Sequence, residues 1–472
     1  MTQNSDVVQA AIAEIEATGA TITDINFFLK SKSSDYENAL CVLALYPHKF
    51  AYCNELGWLF YNDRFWEREN AEFQINRSIT EMLKFRSIVA IAHNLDGLAK
   101  ATIPNTSRKK SVRDMLRDLV VVSVADFDNQ THLLNCDNGV VNLKTGKLSP
   151  HDPNQKFTYC LQTEYKPDAD QSSWLSFLKM SVGNYEEIAD FLQMAHGYSL
   201  TGDTREECLF YKFGPTRSGK GTHDAVMLAL FGEPLARGVS FSMFTKKRDG
   251  NSQNFDLAPL RAARFIAASE SGRYSTFNEA TTKQITGGDR VQCAFKNHDM
   301  FDYKPHYKIW LSSNHPVKGD VDDDAFWNRV RVIEFPNSFV GKENKSLKQS
   351  LTSSQNLEGA LAWCVAGAVK WYKSKSGLVT PWTVAQATQK QRDDLDHVGQ
   401  WLGECCKSIN GNFVTNDTLI KSYSEWCELN GHTPKKAVGL SRALNSKGFE
   451  GKIKKVDGKA KRGFLGLILA VE

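Results

Sequence analysis

The stretch that decides the fold runs from Leu209 to Thr222 and reads LFYKFGPTRSGKGT. An apolar strand, a glycine-containing loop and a helical segment, HDAVMLALFG, follow one another, which is the order that a phosphate-binding loop requires. Gly214 and Gly219 would let backbone N–H groups curl around phosphates, and the helix N-terminus would add a favourable dipole. The pattern therefore predicts a nucleotide-binding α/β core rather than a chance glycine-rich turn.

The residues that end this loop are expected to bind ATP and Mg²⁺. Lys220 should reach the β- and γ-phosphates. The residue after the lysine is usually Ser or Thr but is Gly221 here, so Thr222 is the predicted hydroxyl ligand on the Mg²⁺ side. The Gly-Lys-Gly-Thr variant also occurs in nucleoside monophosphate kinases, so the loop leaves the kind of NTPase open. The predicted nucleotide-binding set is Gly214, Gly219, Lys220, Gly221 and Thr222.

Two later strands end in polar groups that suit hydrolysis. The segment from Arg264 to Glu270, RFIAASE, is an apolar strand whose final carboxylate would activate the attacking water or hold Mg²⁺ through a water. The segment YKIWLSSN ends at Asn314, which would orient the water or sense the γ-phosphate. Asn314 could instead form a turn before His315 and Pro316.

Two arginines beside a further apolar strand are candidates to act on an adjoining subunit. The segment FWNRVRVIEF, from Phe326 to Phe335, contains Arg329 and Arg331. A guanidinium from a neighbour would stabilise the charge that develops on a transferred phosphoryl group. Arg329 is favoured as this finger, and either arginine could instead be a surface residue.

In this order the motifs resemble the superfamily 3 helicases, specifically the phage and plasmid primase–helicase branch related to the poxvirus primase–helicase. The resemblance covers roughly residues 50 to 470 and includes Lys283 to Asp289, KQITGGD. Leu133 to Lys147 is similar to the helical domain that precedes the ATPase in that family. The resemblance implies an α/β fold with a P-loop, AAA+-like superfamily 3 ATPase core, preceded by a mainly helical domain and followed by a winged-helix domain.

The resemblance also implies a homohexameric ring that binds ATP at subunit interfaces and translocates 3′ to 5′ on single-stranded DNA. It gives Arg329 the position of the arginine finger. One departure is Ser269 before Glu270, where many viral members carry a second acidic residue, so the division of labour at Mg²⁺ stays open.

DNA contacts are implied in the segment that precedes the sensor strand. Apolar residues flank a polar turn between Asp289 and Lys308, which predicts a β-hairpin. In superfamily 3 rings such a hairpin projects into the channel, so Lys296 and, less firmly, His298 would bind the DNA backbone. A solvated turn is the alternative. Lys283 would face DNA or nucleotide, or be an ordinary surface lysine of a helix.

Composition shifts predict three units. Residues 1–200 should form a mainly helical domain with a small β region, residues 201–375 the ATPase domain, and residues 376–472 a helical linker and a winged-helix domain. The break KSKSGLVTPW marks the second boundary. Helices at Thr415 to Asn430 and Lys436 to Ser446 precede a predicted basic hairpin, KIKKVDGKAKRGFLGLIL. The hairpin's cations are dense enough to contact phosphate as a wing, or merely to keep it soluble.

Bulk properties describe an ordinary globular chain. The 472 residues are 41% hydrophobic and carry a net charge of +4, so nucleic-acid contact must be a local patch. The ten cysteines show no zinc-binding spacing, and no stretch approaches a membrane span. The chain is expected in the cytoplasm, that of a bacterial host if it is phage- or plasmid-encoded. Asp126, Asp128 and His132 are interpreted as structural, so priming would need another polypeptide.

These observations favour an ATP-dependent DNA helicase that replicates a phage, plasmid or mobile element. Its expected partners are single-stranded and forked DNA and a separate primase or polymerase, with no membrane. A second hypothesis is a DNA-binding or origin-loading protein whose ATPase switches its assembly state without unwinding. The strand that carries Arg329, the hairpin and the basic tail disfavour a phosphotransferase.

Overall fold

The N-terminal part of the structure is helical with one small sheet. The computed structural model describes residues 2–246, 254–270, 276–293 and 300–470. The three strands of the sheet pair antiparallel, as the expected small β region requires, and Asn62 and Asp63 lie in the turn between the second and third. The elements are α1 (Thr2–Glu16), α2 (Ile25–Lys30), α3 (Asp35–Leu45), β1 (Phe50–Cys53), β2 (Gly57–Tyr61), β3 (Trp66–Glu67), α4 (Ala71–Ala92), α5 (Asp96–Ala101) and α6 (Thr106–Leu119).

A buried arginine holds these first helices together. Arg86 on α4 donates from Nε to the Phe28 carbonyl at 3.0 Å and from Nη2 to the Ser31 carbonyl at 2.6 Å. Its Nη1 donates to Asn38 Oδ1 at 2.5 Å. A buried charge is tolerated when its donors are all used in this way, so the contacts tie α4 to the end of α2 and to α3.

A second small sheet and two helices lead into the centre of the molecule. Its strands are β4 (Leu133–Cys136), β5 (Gly139–Asn142) and β6 (Lys147–Ser149), and they pair antiparallel in that order. Residues 143–146 form the turn between β5 and β6. This segment is made of strands, whereas its resemblance to the family implied part of a helical domain. The helices that follow are α7 (Ser172–Ser181) and α8 (Tyr185–Leu200).

The central sheet has five parallel strands. They are arranged in the order β13-β7-β12-β9-β8. Their residues are mostly buried, as expected for parallel strands that are covered on both faces. The elements are β7 (Leu209–Phe213), α9 (Lys220–Phe231), β8 (Ala236–Ser240), β9 (Phe265–Ser269), α10 (Glu279–Thr286), β10 (Val291–Cys293), β11 (Phe301–Tyr303), β12 (Lys308–Ser313), α11 (Asp324–Trp327) and β13 (Val330–Glu334).

The strands β10 and β11 form a separate antiparallel pair in front of β12. Val291 pairs with Tyr303 and Cys293 with Phe301, as the predicted hairpin requires. The two predicted DNA contacts of this hairpin, Lys296 and His298, lie outside the described residues.

Helices α8 and α13 pack so closely that glycines are needed at the contact. The helices α12 (Leu347–Leu351) and α13 (Ser354–Lys373) follow the sheet. A Cβ on Gly367 would lie 1.9 Å from the Gln193 carbonyl oxygen, and one on Gly197 would lie 1.9 Å from the Ala368 nitrogen. One buried core runs from β4 and β5 through α7 and α8 to β7, α9 and α13. The predicted boundary at residue 200 falls inside this core.

The C-terminal elements form a compact unit around Trp401, Tyr423 and Trp426. The two predicted helices and the predicted hairpin are present, and β14 adds a third strand that was not predicted. No helix among the described residues is both long and apolar enough to cross a membrane. The elements are α14 (Trp382–Leu395), α15 (His397–Cys405), β14 (Cys406–Thr415), α16 (Asn416–Leu429), α17 (Ala437–Ser446), β15 (Gly451–Val456) and β16 (Lys459–Leu469).

The close contact between α8 and α13 can be tested with two glycine substitutions. Gly367→Ala should lower the free energy of unfolding by about 1–3 kcal/mol, because the new methyl group overpacks the contact. The matched change Gly403→Ala lies in α15, where a Cβ meets nothing within 4 Å. It should raise the free energy of unfolding by about 0.5–1 kcal/mol through helix propensity. Denaturant unfolding of both variants would measure the difference, and equal effects would contradict the packing.

Candidate functional site

The glycines of the loop between β7 and α9 are fixed by their surroundings. A Cβ on Gly214 would lie 2.0 Å from the Phe335 carbonyl oxygen. Gly219 has a φ of +96°, and a Cβ there would lie 2.6 Å from Ser181 Oγ. Both positions therefore require glycine, the first for space and the second also for backbone conformation. Gly221 differs, because it is exposed and a Cβ there would meet nothing within 4 Å.

Lys220 is the first residue of α9 and folds back over the loop. Its Nζ donates to the carbonyl oxygens of Gly214 at 2.7 Å and Pro215 at 2.8 Å, and to Ser218 Oγ at 3.0 Å. It also lies 3.0 Å from Asn314 Oδ1. Burial, reinforced by a neighbouring buried lysine, lowers the pKa of Lys220 to about 8. The ammonium group is thus held ready above the loop, where a phosphate oxygen would replace one of its present acceptors.

The ends of β9 and β12 bring the predicted acid and sensor to the same edge of the sheet. Ser313 pairs with Phe213, the last residue of β7, and Ser312 pairs with Ser269. Ser313 Oγ donates a short hydrogen bond to Glu270. Asn314 Nδ2 lies 3.2 Å from Thr216 Oγ1. The structure therefore brings Lys220, Asn314 and the loop into direct contact and places Glu270 one strand away.

The predicted metal ligands fit Mg²⁺ in their chemistry. Thr222 lies in the first turn of α9 and Glu270 directly follows β9, and both are half-buried. A hydroxyl and a carboxylate are the hard oxygen donors that Mg²⁺ prefers, and Mg²⁺ keeps several of its waters. Their role as ligands stays a prediction.

Arg329 lies at the edge of the sheet formed by the amino ends of the parallel strands, whereas the loop lies at the edge formed by their carboxyl ends. Its carbonyl accepts from the Leu209 N–H at 2.8 Å, at the start of β7, whereas the loop begins where β7 ends. Five residues of parallel strand separate the two ends by roughly 16 Å. Arg329 Nη2 pairs with Glu207 at 2.7 Å and Nη1 donates to the Ala325 carbonyl at 2.7 Å. Arg331 donates to the carbonyls of two residues in its own segment, at 2.7 and 3.1 Å.

Lys283 is engaged within the chain. It lies on α10, and its Nζ is 2.7 Å from a carboxylate oxygen of Asp323. The other oxygen of Asp323 accepts from the Phe326 N–H at 3.0 Å and caps α11. A DNA phosphate would compete with this carboxylate for the lysine, so the predicted DNA contact stays a prediction.

Sequence reasoning missed a set of polar residues directly beneath the loop. Lys212, in the middle of β7, is wholly buried and forms a short ion pair with Asp224, which lies on α9. Their sequence signal was a charge inside an apolar strand and a second one on the apolar face of the helix. The remaining members of this buried cluster are His196, His223 and Ser312.

Two families match the chain. Residues 39–183 match the family described as D5 N terminal like. Residues 213–329, which contain the whole loop, Glu270, Asn314 and Arg329, match a family of unknown function, DUF5906.

Curated relatives are viral. The helicase-named protein L207/L206 of Acanthamoeba polyphaga mimivirus is 22% identical over 65% of this chain and 34% of its own length. The helicase-named protein V13 of Sputnik virophage is 23% identical over 67% of this chain and 42% of its own. Uncoating factor OPG117 of vaccinia virus is 23% identical over 55% of this chain and 34% of its own. The chain thus spans well under half the length of these relatives.

These matches place the chain in similarity to viral proteins that carry the name helicase. They confirm the resemblance that the order of the motifs predicted, to the phage and plasmid primase–helicase family related to the poxvirus protein. Among solved structures, the apo C-terminal region of NrS-1 aligns with 12% identity and a TM-score of 0.48 over 88% of this chain and 95% of that one.

The depressed pKa of Lys220 gives the site a testable pH dependence. In the empty protein the ammonium should lose its proton near pH 8, because its folded pKa is about 8 and lies below the ordinary value of 10.5. Affinity for a nucleoside triphosphate should therefore fall by up to about tenfold per pH unit above pH ~8, because the uncharged lysine no longer attracts the phosphates. Titration calorimetry between pH 7 and 10 would measure it. Lys220→Arg keeps its charge and should show a flatter profile, so an equally steep decline in that variant would contradict the assignment.

Proposed function

We propose that the chain is an ATP-dependent DNA helicase that assembles into a ring and moves 3′ to 5′ on single-stranded DNA. The observation that carries the proposal is the division of the site between two edges of one sheet. The loop, Lys220, Glu270 and Asn314 share one edge, and Arg329 lies roughly 16 Å away at the other. A subunit built in this way needs a neighbour to supply its guanidinium.

Each group has a definite task in hydrolysis. The loop N–H groups and Lys220 would bind the phosphates of ATP, and Thr222 with Glu270 would hold Mg²⁺. Glu270 also orients or activates the attacking water, and Asn314, which already contacts Lys220, senses the γ-phosphate. Arg329 exchanges Glu207 for the γ-phosphate of the adjoining subunit and neutralises the charge that develops there.

The other parts of the chain suit contact with DNA. The sheet order and the loop support a P-loop, AAA+-like superfamily 3 core. In such a core the hairpin of β10 and β11 would bring Lys296 and His298 to the backbone of the single-stranded DNA. The order α15, β14, α16, α17, β15, β16 supports a winged helix. Its hairpin presents a mostly exposed set of cations that would neutralise phosphates. These cations are Lys452, Lys454, Lys455, Lys459, Lys461 and Arg462.

Forked DNA tests the activity directly. Purified protein with ATP, Mg²⁺ and forks that carry a 3′ or a 5′ tail should show DNA-stimulated hydrolysis and unwinding that depends on the 3′ tail. Lys220→Ala should lower both by at least about a hundredfold, because the lysine that reaches the β- and γ-phosphates is lost. Hydrolysis without strand separation on any fork would favour the origin-loading alternative, and phosphate transfer to a nucleotide would favour a kinase.

Mixing two inactive variants tests the shared site. Arg329→Ala has an intact pocket without a finger, and Lys220→Ala has an intact finger beside a defective pocket. Alone, Lys220→Ala should lose at least about a hundredfold in ATP hydrolysis and Arg329→Ala at least about 10³-fold. An equal mixture should regain activity at about a quarter of its interfaces, because head-to-tail rings bring intact pockets and fingers together.

The same mixture made with Arg331→Ala serves as the control. If Arg329 is the finger, Arg331→Ala alone retains most of its hydrolysis. If Arg331→Ala alone is inactive and regains ATP hydrolysis when mixed with Lys220→Ala, Arg331 is the finger instead. If neither mixture regains hydrolysis, the site is not shared between subunits.

A further inference from the structure

A buried carboxylate ties together the three elements that carry the site. Asp224 lies on α9, four residues after Lys220 and therefore on the same face of the helix. One of its oxygens pairs with Lys212 in β7, and the other accepts from Ser312 Oγ of β12 at 2.8 Å. Lys212 is wholly buried, and Asp224 is 7% exposed. The strand before the loop, the helix after it and the sensor strand thus meet at one side chain.

The remaining hydrogen bonds fix the protonation of this network. His196 Nδ1 lies 2.6 Å from the Leu192 carbonyl, so it carries the proton, and its Nε2 accepts from His223 Nε2 at 2.7 Å. His223 Nδ1 is then free to accept from the Lys212 ammonium at 2.9 Å. Burial lowers the pKa of His223 to about 4 and that of His196 well below its ordinary value. Both histidines are therefore neutral.

The charge of the network is accordingly confined to Lys212 and Asp224. Burial is the largest single influence and raises the pKa of Asp224, but the Lys212 ammonium and His223 together outweigh it and hold this pKa at about 2. Asp224 is therefore an anion throughout the physiological pH range. The pair is oriented by His223 on one side and Ser312 on the other.

We propose that Asp224, held by Lys212, is a positioning residue for ATP hydrolysis. This inference rests on the proposed function. Ser312 directly precedes Ser313, which binds Glu270, and Asn314, which binds Lys220. A shift of α9 along β12 would therefore displace the phosphate-binding lysine from the acid and the sensor together. Displacements of about 1 Å at reacting groups can cost a hundredfold in rate.

Stability alone does not account for a buried ion pair at this place. Replacing such a pair by apolar side chains of similar volume is often neutral or stabilising, because desolvation offsets the attraction between the charges. The contacts of Asp224 with Lys212 and with the Ser312 hydroxyl are directional, so they fix one alignment of α9 with β7 and β12. If the pair serves only stability, replacing it should change the melting temperature rather than turnover. If it positions the site, replacing it should lower turnover while the protein still folds.

The test compares turnover with folding. Lys212→Met combined with Asp224→Leu should keep a melting temperature close to that of the wild type, while kcat for ATP hydrolysis falls by at least about tenfold and KM changes by less than about threefold. Ser312→Ala removes the contact to β12 alone and should lower kcat by about fivefold, which carries the test if the double variant does not fold. Ser199→Ala, which removes the hydrogen bond to Trp310 Nε1 elsewhere in the same buried layer, is the control and should leave kcat unchanged.

A double variant that folds and turns over like the wild type would overturn the positioning role and leave the proposed function standing. So would a Ser312→Ala variant with undiminished kcat. A wild-type protein that does not hydrolyse ATP in any assay overturns the proposed function, and this inference with it. The assay of the wild-type protein therefore distinguishes failure of the positioning role from failure of the proposed function.

Discussion

The parallel pairing of β7 with β12 on one side and β13 on the other is the constraint on which the rest of the structure depends. Its register aligns Phe213 with Ser313 and Leu209 with Val330. The loop, the lysine and the sensor meet at one edge because the carboxyl ends of parallel strands share it. The same geometry carries Arg329, the candidate finger, to the other edge, so within one chain this pairing separates it from Lys220 and Asn314.

Much of this arrangement could be predicted from local patterns. A strand, a glycine-rich loop and a helix are encoded within residues 209–232, and their fold follows from hydrophobic period and glycine placement. The contact between Lys220 and Asn314 could also be anticipated, since both follow apolar strands that belong in one parallel sheet. The C-terminal helices were visible because Thr415 and Lys436 precede segments of clear helical spacing.

What stayed hidden depends on which strands are neighbours. Lys212 looks like an interruption of an apolar strand until β12 and α9 close around it and provide Ser312 and Asp224 as partners. The strand β14 was missed because its sequence, CKSINGNFVT, is polar and largely exposed, so it lacks the alternation that marks a half-buried strand. The core that runs across residue 200 arises from glycine contacts between α8 and α13, which no local pattern records.

The open space around Gly221 leaves this position of the loop free to accept a side chain. Most phosphate-binding loops of this kind place a hydroxyl residue directly after the lysine, and here nothing within 4 Å would obstruct one. The backbone at this position is ordinary helix, so a serine would fit there without rebuilding the neighbourhood. A serine at position 221 would therefore place a second hydroxyl next to that of Thr222, whereas Gly214 and Gly219 leave no room for a side chain.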